Sequence, residues 1–357
     1  MTFSISKALC LSAAFAALAA SSCAARAQSL YRLESALTIR SPNAPSWDYL
    51  AFDPTHDRLF IARDDDGILV YDVNARKITG ALENTMGGNA TVLVSELDRG
   101  YGINSDGSLT AFELSTLKSL DRVKIGEDAD SGFYDPFTKQ LIVTMGESKQ
   151  AAFLDARTGA VLGKLAIDSG KLEGTAPDGE GSVFMALRDR NKVIRIDMQQ
   201  RKITATWTPR GCDLPNGVAY DRANRRIFVA CRGEQPILAV LDAQSGKTVA
   251  KATIGRGNDA VVFDEQTRLI YTANGFDGSL VVIAQVDANT YRLEEAVSTR
   301  PYARTMALDP NTKKVYLVTA EGAVDPAQPW KSDVAPFYPN VYFRDTFTLL
   351  TYSRDPQ

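Results

Sequence analysis

Residues 50–62 read LAFDPTHDRLFIA: an apolar run, an aspartate, a polar turn and a second apolar run. The same order returns as VAYDRANRRIFVA at 218–230 and as MALDPNTKKVYLV at 306–318. Short runs rich in β-branched and aromatic residues, punctuated by polar turns, predict strands. With the aspartate as register mark, copies fall at Asp53, Asp135, Asp178, Asp221, Asp264 and Asp309. Their separations are 82, 43, 43, 43 and 45, and the first spans a degenerate copy around 94–103, so the unit occurs seven times. Self-similarity at such a period marks a repeat architecture, and it is read before any single element.

Each copy resolves into four strands, a to d. Strand a ends at the aspartate, and strand b follows a polar turn, as at 58–62. The hairpin after b carries Asp-Gly at Asp66-Gly67, Asp106-Gly107 and Asp277-Gly278, the pair a two-residue hairpin favours. Strand c runs as at 68–73, and strand d follows a turn such as 156–159. No helical periodicity lies between the strands, which disfavours a parallel or helical alternative. The expected fold is all-β, a seven-bladed β-propeller of four-stranded antiparallel blades. The last copy supplies only a, b and c, the last at 347–353, while 31–39 is a spare strand at the other end. That N-terminal strand is expected to complete blade seven and close the ring, leaving no long sheet edge free.

Composition refines this picture at the start of the chain. Residues 1–27 carry one early Lys7, an apolar stretch at 8–20 and Ala25-Arg26-Ala27, the pattern of a secretory signal peptide that is removed. Cys23 as a lipoprotein acylation site competes with this, but Ala20-Ser21-Ser22 lacks the bulky aliphatic residue such a site carries. The apolar stretch is too short for a membrane anchor, and no other approaches membrane-span length. The expectation is a periplasmic or secreted protein, with residues 28–357 forming one propeller, monomeric and without a membrane span. A formal net charge of −3 with no basic run gives no footprint for nucleic acid. Removal of the signal leaves two of four cysteines, Cys212 before strand a and Cys231 at the end of strand b of one hairpin. They suit a disulfide in an oxidising compartment, a redox or metal pair being the other reading.

CDLPNGVAYD at 212–221 followed by RIFVAC at 226–231, GRGNDAVVFD at 255–264, ARTMALDP at 303–310 and YLVTAE at 316–321 resemble the YncE-like proteins with YVTN β-propeller repeats. The resemblance covers the whole chain after the signal and implies the propeller and export. It implies little chemistry. More distant relatives by fold include metal-dependent lactonases of the gluconolactonase type, so the fold alone does not exclude an enzyme.

Strand directions bring the d-to-a connections and the b-to-c hairpins to one face. Five residues before each register position, where strand a begins at the central channel, stand Asp48, Asn89, Asp130, Glu173, Asn216, Asp259 and Arg304. One reading is that these polar groups cap the inner strands around a wet channel. The other rests on charge: two carboxylates roughly 8 Å apart repel by roughly 2 kcal/mol at an effective dielectric near 20. Four acids with only Arg304 to offset them favour a cation or a polar ligand. Glu173, Asn216 and Asp259 form an oxygen set suited to Ca, Mg or Mn, although no cofactor is predicted outright. Between strands b and c of blade seven the hairpin is replaced by an insertion at about 321–346, rich in Pro and in Trp330, Phe337, Tyr338, Tyr342 and Phe343. It is either a lid or binding loop or a plug over the channel.

Other chemistry is disfavoured. His56 is the single histidine and lies in a turn on the opposite face, which excludes a histidine triad or a His-ligated metal or haem at the ring. Gly179-Glu180-Gly181 has no helix after it, so it is no phosphate loop. The 64–67 run of three aspartates and a glycine lacks the distal Glu of a calcium loop. The expected function is an exported binding or interaction propeller without catalysis, engaging an unidentified small molecule or protein partner at the channel face. The alternative is a lactonase-type hydrolase in which a metal polarises a carbonyl and Glu173 or Asp259 activates water.

Overall fold

A computed structural model describes residues 30–325, 327 and 339–354. The proposed signal peptide, Cys23, Trp330, Phe337 and Tyr338 lie outside the described residues. The described chain folds into seven four-stranded antiparallel sheets arranged as the blades of a propeller. Blade five shows the unit: Pro215–Asp221, Arg226–Cys231, Ile237–Asp242 and Thr248–Thr253 pair in order as a, b, c and d.

Blade seven closes the ring as the strand count requires. Its order is Tyr31–Thr38, Thr348–Arg354, Val315–Thr319, Met306–Leu308, so the first strand of the chain is its outermost member. Strand c begins one residue later than the pattern suggested, at Thr348, because Phe347 donates no ladder pair of its own and instead accepts from the Ile39 amide, 2.7 Å away.

The register aspartates explain why the repeat exists. Asp53, Asp178, Asp221, Asp264 and Asp309 are all buried, and each accepts backbone N–H groups of its own a-to-b turn through a side-chain oxygen. The carboxylate satisfies donors that the turn leaves unpaired, an Asx turn built into every such copy. Blade two has Val94 at that place and substitutes a short 3₁₀ turn, Ser95–Leu97, closed by the amide of Asp98 in left-handed conformation. That substitution is why the copy looks degenerate. Strands b and c are buried on both faces, as in Arg58–Arg63 and Gly67–Asp72, whereas the outer Lys77–Ala81 is largely exposed. Apolar side chains of neighbouring blades interleave; Phe60, Ile68 and Val70 of blade one pack on Phe112 of blade two.

Near the axis the inner strands run very close. A Cβ on Gly174 would lie 2.5 Å from the Asn216 carbonyl oxygen, so only glycine lets blade four approach blade five there. The d-to-a connections and b-to-c hairpins do share a face: the Gly87 amide donates to the Asp64 carbonyl, and the Ser105 amide to the Gly87 carbonyl. Among the described residues no helix is long and apolar enough to cross a membrane.

Candidate functional site at the channel mouth

The predicted ring residues occupy equivalent places in the fold. Asn89, Asp130, Glu173, Asn216 and Asp259 are each the second residue of strand a in their blades, and Asp48 and Arg304 lie two residues before it. A cavity of about 730 Å³ opens there. Asp48, Asp130, Glu173, Asp259 and Arg304 line it; Asn89 and Asn216 do not. The Asn89 amide instead donates to the Ala129 carbonyl at 3.0 Å, stitching blade two to blade three. Asn216 is fully buried behind the wall and donates to Asp259 Oδ1 at 3.0 Å. Part of the ring is thus structural and part faces the cavity.

The expectation that Arg304 alone offsets the acids is corrected. Lys171, Arg188 and Arg232 line the same cavity, giving four cations to four carboxylates. Arg188 forms an ion pair with Glu173 at 3.1 Å. Arg232 meets Asp259 Oδ1 at 2.6 Å and Arg304 Nε meets its other oxygen at 2.7 Å. Arg188 also donates to Asn216 Oδ1 at 3.1 Å. The sequence held a signal for two of these cations: Arg188 and Arg232 each directly follow strand b, in blades four and five. Aromatic faces complete the network, Arg304 lying 5.1 Å from the Trp47 ring and Arg232 5.6 Å from that of Phe276.

The oxygen set Glu173, Asn216 and Asp259 therefore does not present itself to a metal. Both Asp259 oxygens are held by guanidinium groups, and Asn216 Oδ1 is occupied in the same way. Among the described residues no group of three or more His, Cys, Asp or Glu side chains is placed to hold a metal ion.

The other two acids behave differently. Asp48 and Asp130 make no side-chain hydrogen bond or ion pair among the described residues, and they repel each other across the cavity. Burial, then the neighbouring Asp130 charge, pushes the Asp48 carboxyl well above the usual range. Burial and then Glu173 push Asp130 up to about 7. Burial also raises Glu173, against the pull of Arg188, and holds the Tyr49 hydroxyl above its ordinary value. One mouth thus has a paired half around Asp259 and an unpaired acidic half on blades one and three.

The blade-seven insertion reaches this mouth. Gly322–Ala323 pairs with Val341–Tyr342 in a small ladder, and Pro339, Asn340 and Tyr342 line the cavity. Tyr342 packs edge-on against Trp47 with ring centres 4.9 Å apart. Cys212 and Cys231 form a disulfide with Cα atoms 5.1 Å apart, both buried beneath the mouth in the core between blades four and five. His56 is elsewhere, its Nδ1 2.7 Å from Asp53 in the a-to-b turn of blade one.

No family model matches the chain. It is 24% identical over 176 residues to the uncharacterized protein YncE of Salmonella typhi, and equally to that of Salmonella typhimurium. The match takes in 47% of this chain and 48% of the relative, so the chain spans about half the length of the curated relatives it matches. Among solved structures it is similar to a chain of the mitotic checkpoint complex, with a TM-score of 0.72 at 11% identity, covering 100% of this chain and 99% of that one. A chain of Kuenenia stuttgartiensis hydrazine synthase gives 0.67 at 13% identity, covering 79% and 94%. At such identities the likeness is one of fold.

Proposed function

We propose that this chain is an exported binding propeller of the YncE-like kind, without catalysis, that holds a small polar ligand or a short segment of a partner at the channel mouth. The observation that carries the reading is the mouth itself, where the cavity has charges of both signs and aromatic walls from Trp47, Phe276 and Tyr342. Concave sites with a few convergent polar groups are the usual seats of ligands. The hydrolase alternative asks Glu173, Asn216 and Asp259 to turn their oxygens to a metal, whereas arginines engage those oxygens. It stands behind the binding reading for that reason. Export rests on the 1–27 segment and is checked by fractionating cells and sequencing the N-terminus of the product, expected near Gln28.

The binding reading is tested with the purified protein against a set of anionic, cationic and neutral small molecules, followed by melting temperature, alongside capture of periplasmic partners. Ligands or partners that engage wild type and are weakened at least tenfold by Arg232→Ala support it. Complete indifference of every interaction to substitution at the mouth overturns it.

A further inference from the structure

The chemistry of the ligand can be narrowed on the premise that the mouth is a binding site. Of the four carboxylates around the cavity, Glu173 and Asp259 are neutralised by arginines at contact distance. Asp48 and Asp130 are not, although both line the same space. The blade between them offers no help, since the Asn89 amide is spent on the Ala129 carbonyl. A second observation lies on the same wall. Trp47 is only 5% exposed and lines the cavity, yet among the described residues its indole N–H has no acceptor, and the buried Ser46 hydroxyl beside it has no partner there either. A buried donor or acceptor left unmatched is costly, and such groups are seldom left so without a reason. Two carboxylates without a cation at contact distance and an indole donor without an acceptor, among the described residues, thus all belong to side chains that line one cavity.

We infer that Asp48 and Asp130 seat the protonated amine of a small ligand that also carries a hydrogen-bond acceptor, the chemistry of an amino alcohol or an amino acid. An ammonium group has three donors and a single positive charge, which suits two carboxylates of low solvation. A calcium ion would need six to eight oxygens, and among the described residues no three acidic side chains are grouped to begin such a set. Tyr49, Trp47 and Tyr342 supply the aromatic surface against which the methylene groups of such a ligand pack. Because both carboxyls take up protons readily, the amine binds better at pH 8 than at pH 5 while itself staying protonated throughout.

The experiment is a titration of the intact protein with 4-aminobutanol, n-butylamine and 1-butanol, and separately with calcium and manganese chloride, read by melting temperature and calorimetry at both pH values. The amines are expected to bind, the amino alcohol most tightly, and butanol not at all; Asp130→Asn weakens both amines at least tenfold. That variant is expected to melt above wild type, so lost binding is distinguishable from lost folding. Equal behaviour of butanol and the amines, or amine binding that survives in both Asp48→Asn and Asp130→Asn, overturns the inference. So does a calcium-dependent rise in melting temperature abolished by the same variants, or proton uptake at these carboxyls with no amine bound at millimolar concentration. If an anionic ligand binds in a manner sensitive to Arg232→Ala but not to Asp130→Asn, the amine assignment falls and the binding mouth remains. If nothing engages the mouth at all, both fall together.

Discussion

Replacing Asp130 by Asn should stabilise the empty protein, and the size of the gain follows from where the carboxyl sits. Asp130 is the second residue of an inner strand, turned into the cavity among Glu173, Asp259 and Asp48, with Lys171 and Arg188 only partly compensating. Its carboxyl is pushed up to about 7 by burial first and by Glu173 and Asp259 second. In the unfolded chain it returns to an ordinary value near 4. A raised carboxyl binds more protons folded than unfolded, so its contribution favours the fold at acid pH and is lost as pH rises from about 4 through about 7. Three pH units at about 1.4 kcal/mol each set an upper bound of roughly 4 kcal/mol on that loss. Asp48 shares the proton and water enters the mouth, so about 2 kcal/mol is the expected figure, or roughly 3 °C in melting temperature for a chain of this size. Asn has the same shape and no charge to desolvate. Urea unfolding of both proteins at pH 4, 6 and 8 measures the difference. It should be near zero at pH 4 and grow to its full value by pH 8. A variant less stable than wild type at pH 8, or a difference independent of pH, would refute the electrostatic account of the mouth.

The remaining expectations test the frame around that site. Cys212→Ser with Cys231→Ser opens a loop of sequence separation 19 and should cost about 3 kcal/mol in reversible unfolding without loss of secondary structure by circular dichroism. Arg232→Ala leaves Asp259 to Arg304 and Asn216, so the loss should be about 1–2 kcal/mol rather than the 3–5 of a fully orphaned buried charge; a loss of the larger size would mean that Arg304 does not compensate. Deleting Tyr31–Thr38 uncovers the strand Thr348–Arg354 and strips Tyr31 from Tyr271, which should give aggregation in size-exclusion chromatography instead of a monomeric peak. Asp221→Ala removes the acceptor for the Asn224 amide and for Gln285 of the next blade, with an expected cost of about 2–3 kcal/mol by chemical denaturation.

What could be read in the sequence was what the fold repeats. Strand number, the closing role of the first strand and the Cys212–Cys231 pair all follow from a period that the register aspartates mark, because these buried carboxylates share one local task, holding their own turns. Even the one exception obeys that logic, Val94 having lost the carboxylate and gained a 3₁₀ turn in its place. The seven positions five residues before the register were legible for the same reason; five of them line the cavity, whereas Asn89 and Asn216 do not.

The charge balance there was not legible, and the cause is geometric. Arg188 and Arg232 leave the ends of strands b, one strand further from the axis than Glu173 and Asp259, and cross to them with long side chains. A repeat register reports where a backbone runs; it does not report how far an arginine reaches, and three methylenes with a guanidinium at their end are enough to turn an acidic ring into paired and unpaired halves. Lys171 entered the mouth in the same way, from two residues outside the counted position. The division matters more than the sum. Among the described residues four acids opposed by four cations give the mouth no net charge, which by itself predicts no ligand, but the arginines gather on Asp259 and Glu173 and leave Asp48 and Asp130 to repel each other. Selectivity in such a site comes from the pair that the protein does not neutralise, because only there does an incoming cation replace repulsion with attraction.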